Sequence, residues 1–168
     1  VDVVTYEFEN VPRATAEAAA RICPVRPGVR ALEVSQDRLI EKQFIAALGV
    51  PVAPFAAVDD EAALASAASV LGFPSILKTR RLGYDGKGQA VVRSAADAAA
   101  AFEALRASPL IYEEFVPFDF EVSIIGVRNR QGEVAIYPLN HNLHREGILR
   151  LTRAPWHAPT LERRAATC

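Results

Sequence analysis

The stretch Ser75–Val92, SILKTRRLGYDGKGQAVV, places three glycines within six residues, between two short runs of strand-forming residues. A Walker loop is excluded, because only two residues separate Gly83 from the Gly86-Lys87 pair and no Ser or Thr follows. A Rossmann turn is excluded as well, since the strand-like run Gln89–Val92 stands where a helix would have to begin. The pattern therefore predicts a β-hairpin with a glycine-rich tip.

The loop alone leaves two interpretations open. Glycine amides can approach phosphate oxygens closely, and Lys78, on the entering strand, can supply an ammonium to the same phosphates. A solvated hairpin tip fits equally well, because Asp85-Gly86 is a good turn pair. The segment Leu110–Ser123, LIYEEFVPFDFEVS, favours a nucleotide site: its extended edge at Glu114–Val116 can offer backbone groups to adenine, and Glu121 can accept the ribose hydroxyls. The alternative for this segment is an amphipathic strand whose carboxylates face water.

Bulk composition bounds the function class. The chain has 168 residues, of which 51% are hydrophobic and 23% charged, as in a globular protein with a buried core. Charges interrupt the Ala-rich stretches and no signal peptide is visible, so neither a membrane span nor secretion is expected. A net charge of −1 argues against a nucleic-acid partner. Cys23 and Cys168 have no metal-binding spacing, which predicts a reducing cytoplasm and no disulfide framework.

Apolar periodicity predicts the first half of the chain as helices after one strand. Val1–Tyr6 is predicted as a buried strand, followed by a short helix that ends before Pro24. Ser35 is predicted to cap a helix over residues 36–49, and Gly49 to end it in the left-handed conformation. An Asp-capped helix that ends at Gly72 follows the same pattern.

Strands dominate the second half. A helix capped by Ser94, with Asp97 completing a capping box, follows the glycine hairpin. Three strands come next, of which FEVSIIGVR and EVAIYPL are joined by a turn at RNRQG. The order helix, strand, loop, strand, helix, strand predicts an α+β module rather than a doubly wound sheet.

Five segments in this order and spacing resemble the 5-(carboxyamino)imidazole ribonucleotide synthases, which are ATP-grasp enzymes of purine biosynthesis. The resemblance extends to about Ala154, and its GYDGKGQ and NLHREGILR segments are specific to this branch. It implies a partial ATP-grasp fold of the α+β class, preceded by the end of a Rossmann-like α/β domain. The segments are TYEFENVP, QDRLIEKQF, ILKTRRLGYDGKGQ, EEFVPFDFEVS and YPLNHNLHREGILR.

The domain organisation is predicted in three parts. Residues 1–27 are expected to be the C-terminal remnant of the preceding α/β domain. Residues 28–120 are expected to form a linker helix and the small ATP-grasp subdomain with its lid, and residues 121–168 the start of the large subdomain. Because the chain contains no Met and begins within a strand-like run, we expect it to be a fragment of a longer protein.

The resemblance also implies a reaction. ATP activates bicarbonate as carboxyphosphate, which carboxylates the exocyclic amine of 5-aminoimidazole ribonucleotide and leaves ADP and phosphate. Mg²⁺ is implied as well, with its ligands expected beyond Cys168 and none among these residues. The intact parent is expected to be a cytoplasmic homodimer that hands its product to a mutase, without nucleic-acid or membrane partners. The fragment alone is expected to be catalytically inactive.

The resemblance assigns site residues in two groups. Lys87 departs from the family, which commonly has Arg there, and its ammonium lacks bidentate phosphate contact. His141 and His144 have a spacing that invites a zinc assignment, but no further ligand supports one; His141, His157 and the stretch after Ala154 are assigned no role. Those implied as catalytic or facing the aminoimidazole ribonucleotide are Tyr84, Asp85, Lys87 and His144. Those implied for ATP are Arg38, Lys78, Gly83, Tyr84, Asp85, Gly86, Lys87, Gly88, Gln89, Glu113, Glu114, Phe115, Val116, Glu121 and His144.

Two alternatives to this function stay open. The first is an ATP-grasp ligase with another acceptor, as in the glycinamide ribonucleotide or biotin-carboxylating relatives. The second is a truncated, non-catalytic nucleotide-binding remnant.

Overall fold

The computed structural model describes residues 1–84 and 86–166, which form two compact units. The first unit contains residues 1–84 and 88–115, and the second contains Gly86, Lys87 and residues 116–166. The helices are α1 (Arg13–Ala20), α2 (Val29–Gln36), α3 (Arg38–Ala47), α4 (Glu61–Leu71), α5 (Ala95–Leu105) and α6 (Pro159–Ala166). The strands are β1 (Phe55–Val58), β2 (Ser75–Thr79), β3 (Gln89–Val92), β4 (Leu110–Glu114), β5 (Glu121–Ser123), β6 (Gly126–Arg128), β7 (Val134–Ile136), β8 (Asn140–Arg145) and β9 (Ile148–Arg153).

The first unit is built on a four-stranded antiparallel sheet in the order β1-β4-β2-β3. Because successive side chains of a strand point to opposite faces, one face of the sheet presents Leu77, Val92, Leu110 and Tyr112 to α4 and α5. These four side chains are at most 1% exposed. The helix, strand, loop, strand, helix, strand order of the α+β prediction is confirmed, and β1 joins the sheet as a strand that the sequence analysis missed.

Helix α3 begins at Arg38, two residues later than the sequence analysis predicts, so the assignment of Ser35 as its cap is wrong. Ser35 lies inside α2, and its hydroxyl donates to the Leu32 carbonyl at 3.1 Å. Asp37 is the cap, because its backbone is extended and its carboxylate accepts from the N–H groups of Leu39 and Ile40 at 2.9 and 3.4 Å. A carboxylate there also opposes the positive end of the helix dipole.

The caps predicted for α4 and α5 are confirmed: Asp60 caps α4, and the Ser94 hydroxyl accepts from the Asp97 N–H at 3.2 Å at the start of α5. The second bond of the predicted capping box differs, because the Asp97 carboxylate accepts from the Arg93 N–H, at 2.9 Å, instead of the Ser94 N–H. Gly49 and Gly72, just beyond α3 and α4, have φ values of +80° and +70°. The Gly72 carbonyl accepts from the buried Tyr112 hydroxyl at 3.1 Å, which ties the end of α4 to the central strand β4.

The prediction of a buried strand at Val1–Tyr6 is wrong. This segment makes a single isolated parallel bridge, between Val4 and Val25, and both Val1 and Val3 are more than half exposed. A buried strand needs partners along its edges and cover on its faces, and this segment finds only the residues around Val25.

The second unit contains a three-stranded antiparallel sheet, β5-β8-β9, and a separate two-stranded sheet, β6-β7. The single strand predicted for FEVSIIGVR is therefore wrong: extended pairing stops at Ile124 and Ile125, and β5 and β6 join different sheets. The turn predicted between β6 and β7 is confirmed, with the Asn129 side chain accepting from two backbone N–H groups and Gly132 at φ +90°. No helix in residues 1–84 or 86–166 is long and apolar enough to span a membrane.

Helix α3 carries a half-buried carboxylate, Glu41. Burial raises the pKa of the Glu41 carboxyl above its ordinary value of 4.5. The cations Arg38 and Lys42 oppose this rise in pKa, while the carboxylates of Glu113 and Glu9 add to it. Glu41 therefore stands in an environment that disfavours its charged form.

We expect Leu77→Ala to lower the free energy of unfolding by about 2–5 kcal/mol, because the substitution opens a cavity under the centre of the sheet. Urea denaturation of the chain measures this. Val70→Ala is the control, since Val70 on α4 is 79% exposed. Equal losses in the two variants would contradict the assignment of Leu77 to the core.

We expect Glu41→Gln to stabilise the fold at neutral pH by an amount that grows as pH rises. A carboxyl whose pKa is raised by folding contributes stability below its unfolded pKa and loses it as pH rises through the folded pKa; glutamine does not undergo this loss. Urea midpoints from about pH 4 to about pH 8 follow the difference between variant and wild type. Glu61→Gln, at an exposed carboxylate on α4, is the control. A difference that is independent of pH, or that favours the wild type at neutral pH, would contradict the expectation.

Candidate functional site

The four-stranded sheet has a second face, formed by the side chains that alternate with the core. Strand register places these side chains together, because Phe55 and Ile76 both pair with Glu113, while Lys78 pairs with Ile111 and with Gln89. We call this surface the open face, and its members are Phe55, Ala57, Ile76, Lys78, Gln89, Val91, Ile111 and Glu113.

Two lysines share one buried carboxylate on the open face. The Lys78 ammonium lies 2.8 Å from Glu113 Oε2, and the Lys42 ammonium of α3 lies 3.4 Å from the same oxygen. Glu113 is only 5% exposed, so this is an ion cluster screened from water. Lys42 also lies over the Phe55 ring, 5.7 Å from its centroid. The cluster has one more positive than negative charge, and an anion at the open face would balance it.

Sequence reasoning identified two members of this cluster and missed the third. Lys78 was predicted for phosphate, and Glu113 for the segment that contacts adenine; the structure joins their side chains directly. Lys42 was overlooked, although the signal was present. It follows Arg38 by four residues, so both side chains lie on one side of α3.

The two ends of the glycine loop, at Gly83 and Gly88, are held by hydrogen bonds to their backbone carbonyls, and we call this part of the loop its root. The Arg38 guanidinium donates to the Gly83 carbonyl at 3.3 Å, and the Thr79 N–H donates to the Gly88 carbonyl at 2.7 Å. Gly88 has φ +72°, and a Cβ there would lie 2.6 Å from Thr79 Oγ1. Glycine is therefore required at this position by both conformation and space. Gln89 follows directly, opposite Lys78 in the sheet.

A polar cavity of about 300 Å³ lies beside this loop root, lined by Arg38, Glu41, Gly83 and residues around Glu9. Gln36 closes one side: it is 7% exposed, and its amide donates to the carbonyls of Glu9 and Val11. The Arg81 guanidinium donates to the Gln36 carbonyl oxygen at 2.9 Å. Neither Glu9 nor Gln36 was predicted as a site residue.

Arg80 and Arg81 precede the glycine loop in the sequence, and Arg80 has a structural role. Arg80 donates to the Leu110 carbonyl at 3.0 Å and forms an ion pair with Asp59 at 2.9 Å. Its side chain is only 13% exposed, so this guanidinium fastens β1 and β4 to the loop entry.

The predicted adenine segment, Glu113–Val116, runs off the end of β4. In the structure the Glu114 N–H donates to the Pro54 carbonyl at 2.9 Å, and the Phe115 N–H donates to the Pro74 carbonyl at 3.3 Å. These two donors are already used within the first unit. The adenine contacts of this segment stay a prediction, and they must use other backbone groups than these two.

In the second unit, two predicted site residues form a pair. The Glu121 carboxylate lies 3.3 Å from His144 Nδ1, across the pairing of β5 with β8. Asn142, on β8, hydrogen-bonds to Ser123 and Thr152 at 3.0 Å each, which gives this face of the sheet a polar surface.

The β8–β9 hairpin turns at Glu146 and Gly147, both with positive φ. A Cβ on Gly86 would lie 3.1 Å from the Glu146 carbonyl, so glycine also permits a close approach here. Asp85 lies outside the described residues. The unassigned His141 stacks on Trp156 with ring centroids 4.9 Å apart.

A metal site was not expected within this chain. Among residues 1–84 and 86–166, no group of three or more His, Cys, Asp or Glu side chains is arranged to hold a metal ion.

Comparison with known proteins identifies the family. A family model described as the ATP-grasp domain matches residues 43–168. N5-carboxyaminoimidazole ribonucleotide synthase of Pseudomonas aeruginosa is 49% identical over 154 residues, covering 92% of this chain and 43% of the relative. The crystal structure of N5-carboxyaminoimidazole ribonucleotide synthetase from Thermus thermophilus is 47% identical with a TM-score of 0.91, covering 99% of this chain and 45% of that chain.

A further structure, of N5-carboxyaminoimidazole synthase from Aspergillus clavatus in complex with ADP and 5-aminoimidazole ribonucleotide, is 28% identical with a TM-score of 0.88; it covers 98% of this chain and 43% of that chain. This chain thus spans less than half the length of these relatives. The resemblance and the ATP-grasp fold predicted from the sequence are confirmed. The family model matches three quarters of the residues of this chain. The chain therefore belongs to the ATP-grasp family.

Proposed function

We propose that the protein carrying this chain uses ATP and bicarbonate to carboxylate 5-aminoimidazole ribonucleotide, giving 5-(carboxyamino)imidazole ribonucleotide, ADP and phosphate. The observation that carries the proposal is the 49% identity to a synthase of that name over 92% of this chain. The geometry supports it, because the glycine-loop root, Arg38 and the Lys78 cluster all belong to one compact unit.

The chemistry explains why phosphates must be held tightly. Bicarbonate is a poor electrophile until one of its oxygens attacks the γ-phosphorus of ATP and releases ADP. The amine then attacks the carboxyl carbon of the resulting carboxyphosphate, phosphate leaves with the C–O bonding electrons, and the nitrogen loses a proton. Water would hydrolyse this mixed anhydride, so the site must exclude it.

Within this chain, we assign Arg38 and Lys78 to the phosphates of ATP, where fixed cations stabilise the negative charge that develops during transfer. We assign the loop from Gly83 to Gln89 to cover those phosphates, since a glycine has no Cβ to block the approach of its amide to a phosphate oxygen. Tyr84, Asp85 and Lys87, within this loop, would face the aminoimidazole ribonucleotide.

The remaining roles follow the resemblance. The segment Glu113–Val116 would hold adenine, and Glu121 would accept the ribose hydroxyls. His144 would contact the phosphates or bicarbonate, with the Glu121 carboxylate 3.3 Å from its Nδ1. The proposal for the whole protein includes a cytoplasmic location, a homodimer and transfer of the product to a mutase, all of which rest on the resemblance alone.

We expect Lys78→Met to lower kcat/KM for ATP about 100-fold in the protein that carries this chain, because a phosphate loses a fixed cation while Glu113 keeps Lys42 as its partner. Steady-state release of phosphate measures the effect. Arg106→Met is the control, since it removes an exposed cation at the C-terminal end of α5, on the far side of the sheet. Similar losses in both variants would contradict the role of Lys78.

We expect 5-aminoimidazole ribonucleotide to accelerate bicarbonate-dependent ATP hydrolysis by the intact protein that carries this chain, and glycinamide ribonucleotide or biotin to leave it unchanged. The amine completes turnover only where the acceptor site fits it. Phosphate release with each acceptor distinguishes the candidate ligases. Acceleration by another acceptor would reassign the substrate, and ATP binding without any turnover would indicate a non-catalytic nucleotide-binding protein.

A further inference from the structure

Lys42, Lys78 and Glu113 form the ion cluster at the open face, and the proposed function gives Lys42 no role. Its side chain and that of Lys78 are each 18% exposed, and both ammonium groups approach Glu113 Oε2. One cation is enough to neutralise one carboxylate. The second cation therefore needs a separate explanation.

Glu113 creates a conflict for Lys78. The Glu113 side chain is 7% exposed, and an uncompensated carboxylate at such a depth is strongly destabilising. If Lys78 were the sole partner of Glu113, moving its ammonium toward a phosphate would leave this carboxylate without a counterion. Lys78 could then bind a phosphate only with a large loss elsewhere in the site.

We propose that Lys42 is a positioning residue that keeps Glu113 neutralised and so releases Lys78 to bind a phosphate of ATP. This inference rests on the proposed function, in that it takes the open face as the ATP site. In the structure Lys78 makes the shorter contact with Glu113, 2.8 Å against 3.4 Å for Lys42. With ATP bound, Lys42 retains Glu113 and Lys78 turns to the phosphate.

The surroundings of Lys42 suit this role. Its helix is fixed at the first turn by the Asp37 cap and by the Arg38 N–H, which donates to the Arg80 carbonyl at 3.0 Å. Its ammonium lies over the Phe55 ring, and Phe55 pairs directly with Glu113 in the sheet. Lys42 is therefore held beside the carboxylate by the first unit itself. Lys78, by contrast, comes from the strand that leads into the glycine loop.

Comparing the binding of ATP with that of adenosine distinguishes this role from a purely structural one. ATP and adenosine share the base and ribose, so only ATP senses the availability of Lys78. We expect Lys42→Gln to raise the Kd for ATP about tenfold or more and to change the Kd for adenosine less than about twofold. Lys42→Arg keeps the cation, and we expect it to bind ATP as the wild type does. Isothermal titration of the protein that carries this chain measures both constants, with Arg106→Gln as the control for loss of one positive charge.

A double-mutant cycle separates positioning from direct phosphate contact. In the Glu113→Gln background no carboxylate needs neutralising, so adding Lys42→Gln should leave the Kd for ATP unchanged within about twofold. If Lys42 touched phosphate itself, the loss would persist in this background, and the proposal would be overturned. Equal losses for ATP and adenosine would overturn it too.

A further test uses only the wild-type chain, so it does not depend on whether a variant folds. This chain contains three lysines, Lys42, Lys78 and Lys87, so NMR of lysine-labelled protein gives three side-chain signals. On addition of ATP, the Lys78 signal should shift as its partner changes, while the Lys42 signal stays close to its position. A larger shift of Lys42 than of Lys78 would overturn the proposal. If the intact protein that carries this chain does not bind ATP at all, the proposed function fails; if it binds ATP but its Lys42→Gln variant binds equally well, only this inference fails.

Discussion

Strand β4 carries the hydrophobic core on one side and a buried charge on the other, and the first unit is organised around this constraint. Tyr112 points into the helices with its ring fully buried, and Glu113, the next residue, points to the open face at 5% exposure. The strand is central, paired with β1 on one edge and β2 on the other. Any shift of register by one residue would place the carboxylate in the core and the tyrosine at the site.

The buried carboxylate in turn determines which cations surround it. Glu113 requires a counterion, and the sheet supplies Lys78 from the neighbouring strand while α3 supplies Lys42 from above Phe55. Replacing such a cluster by apolar side chains is often neutral or stabilising for a fold. Its presence next to the glycine loop is therefore better explained by the need for positive charge at the open face than by stability.

The residues that sequence reasoning identified are those with a strong local signal. Three glycines in six residues, the Ser94 and Asp97 pattern and the positive-φ glycines after α3 and α4 each depend on neighbours in sequence. The errors arose where a local rule had two candidates or where partners decide the outcome. Ser35 and Asp37 can both cap a helix, and only the start of α3 chooses between them; the apolar run at Val1–Tyr6 is a strand only if other strands flank it.

The contacts that matter most for the site lie beyond such local rules. No pattern shows that Lys42 and Lys78, 36 positions apart in the sequence, meet on one oxygen of Glu113. Their meeting follows from the strand register that sets Phe55 and Ile76 on either side of Glu113, and from the Asp37 cap that fixes the rotation of α3. Family resemblance assigned Lys78 to phosphate without indicating what else it touches. The structure adds that Lys78 pairs with a buried carboxylate that Lys42 also contacts, so the proposed phosphate contact of Lys78 would require an exchange of partners.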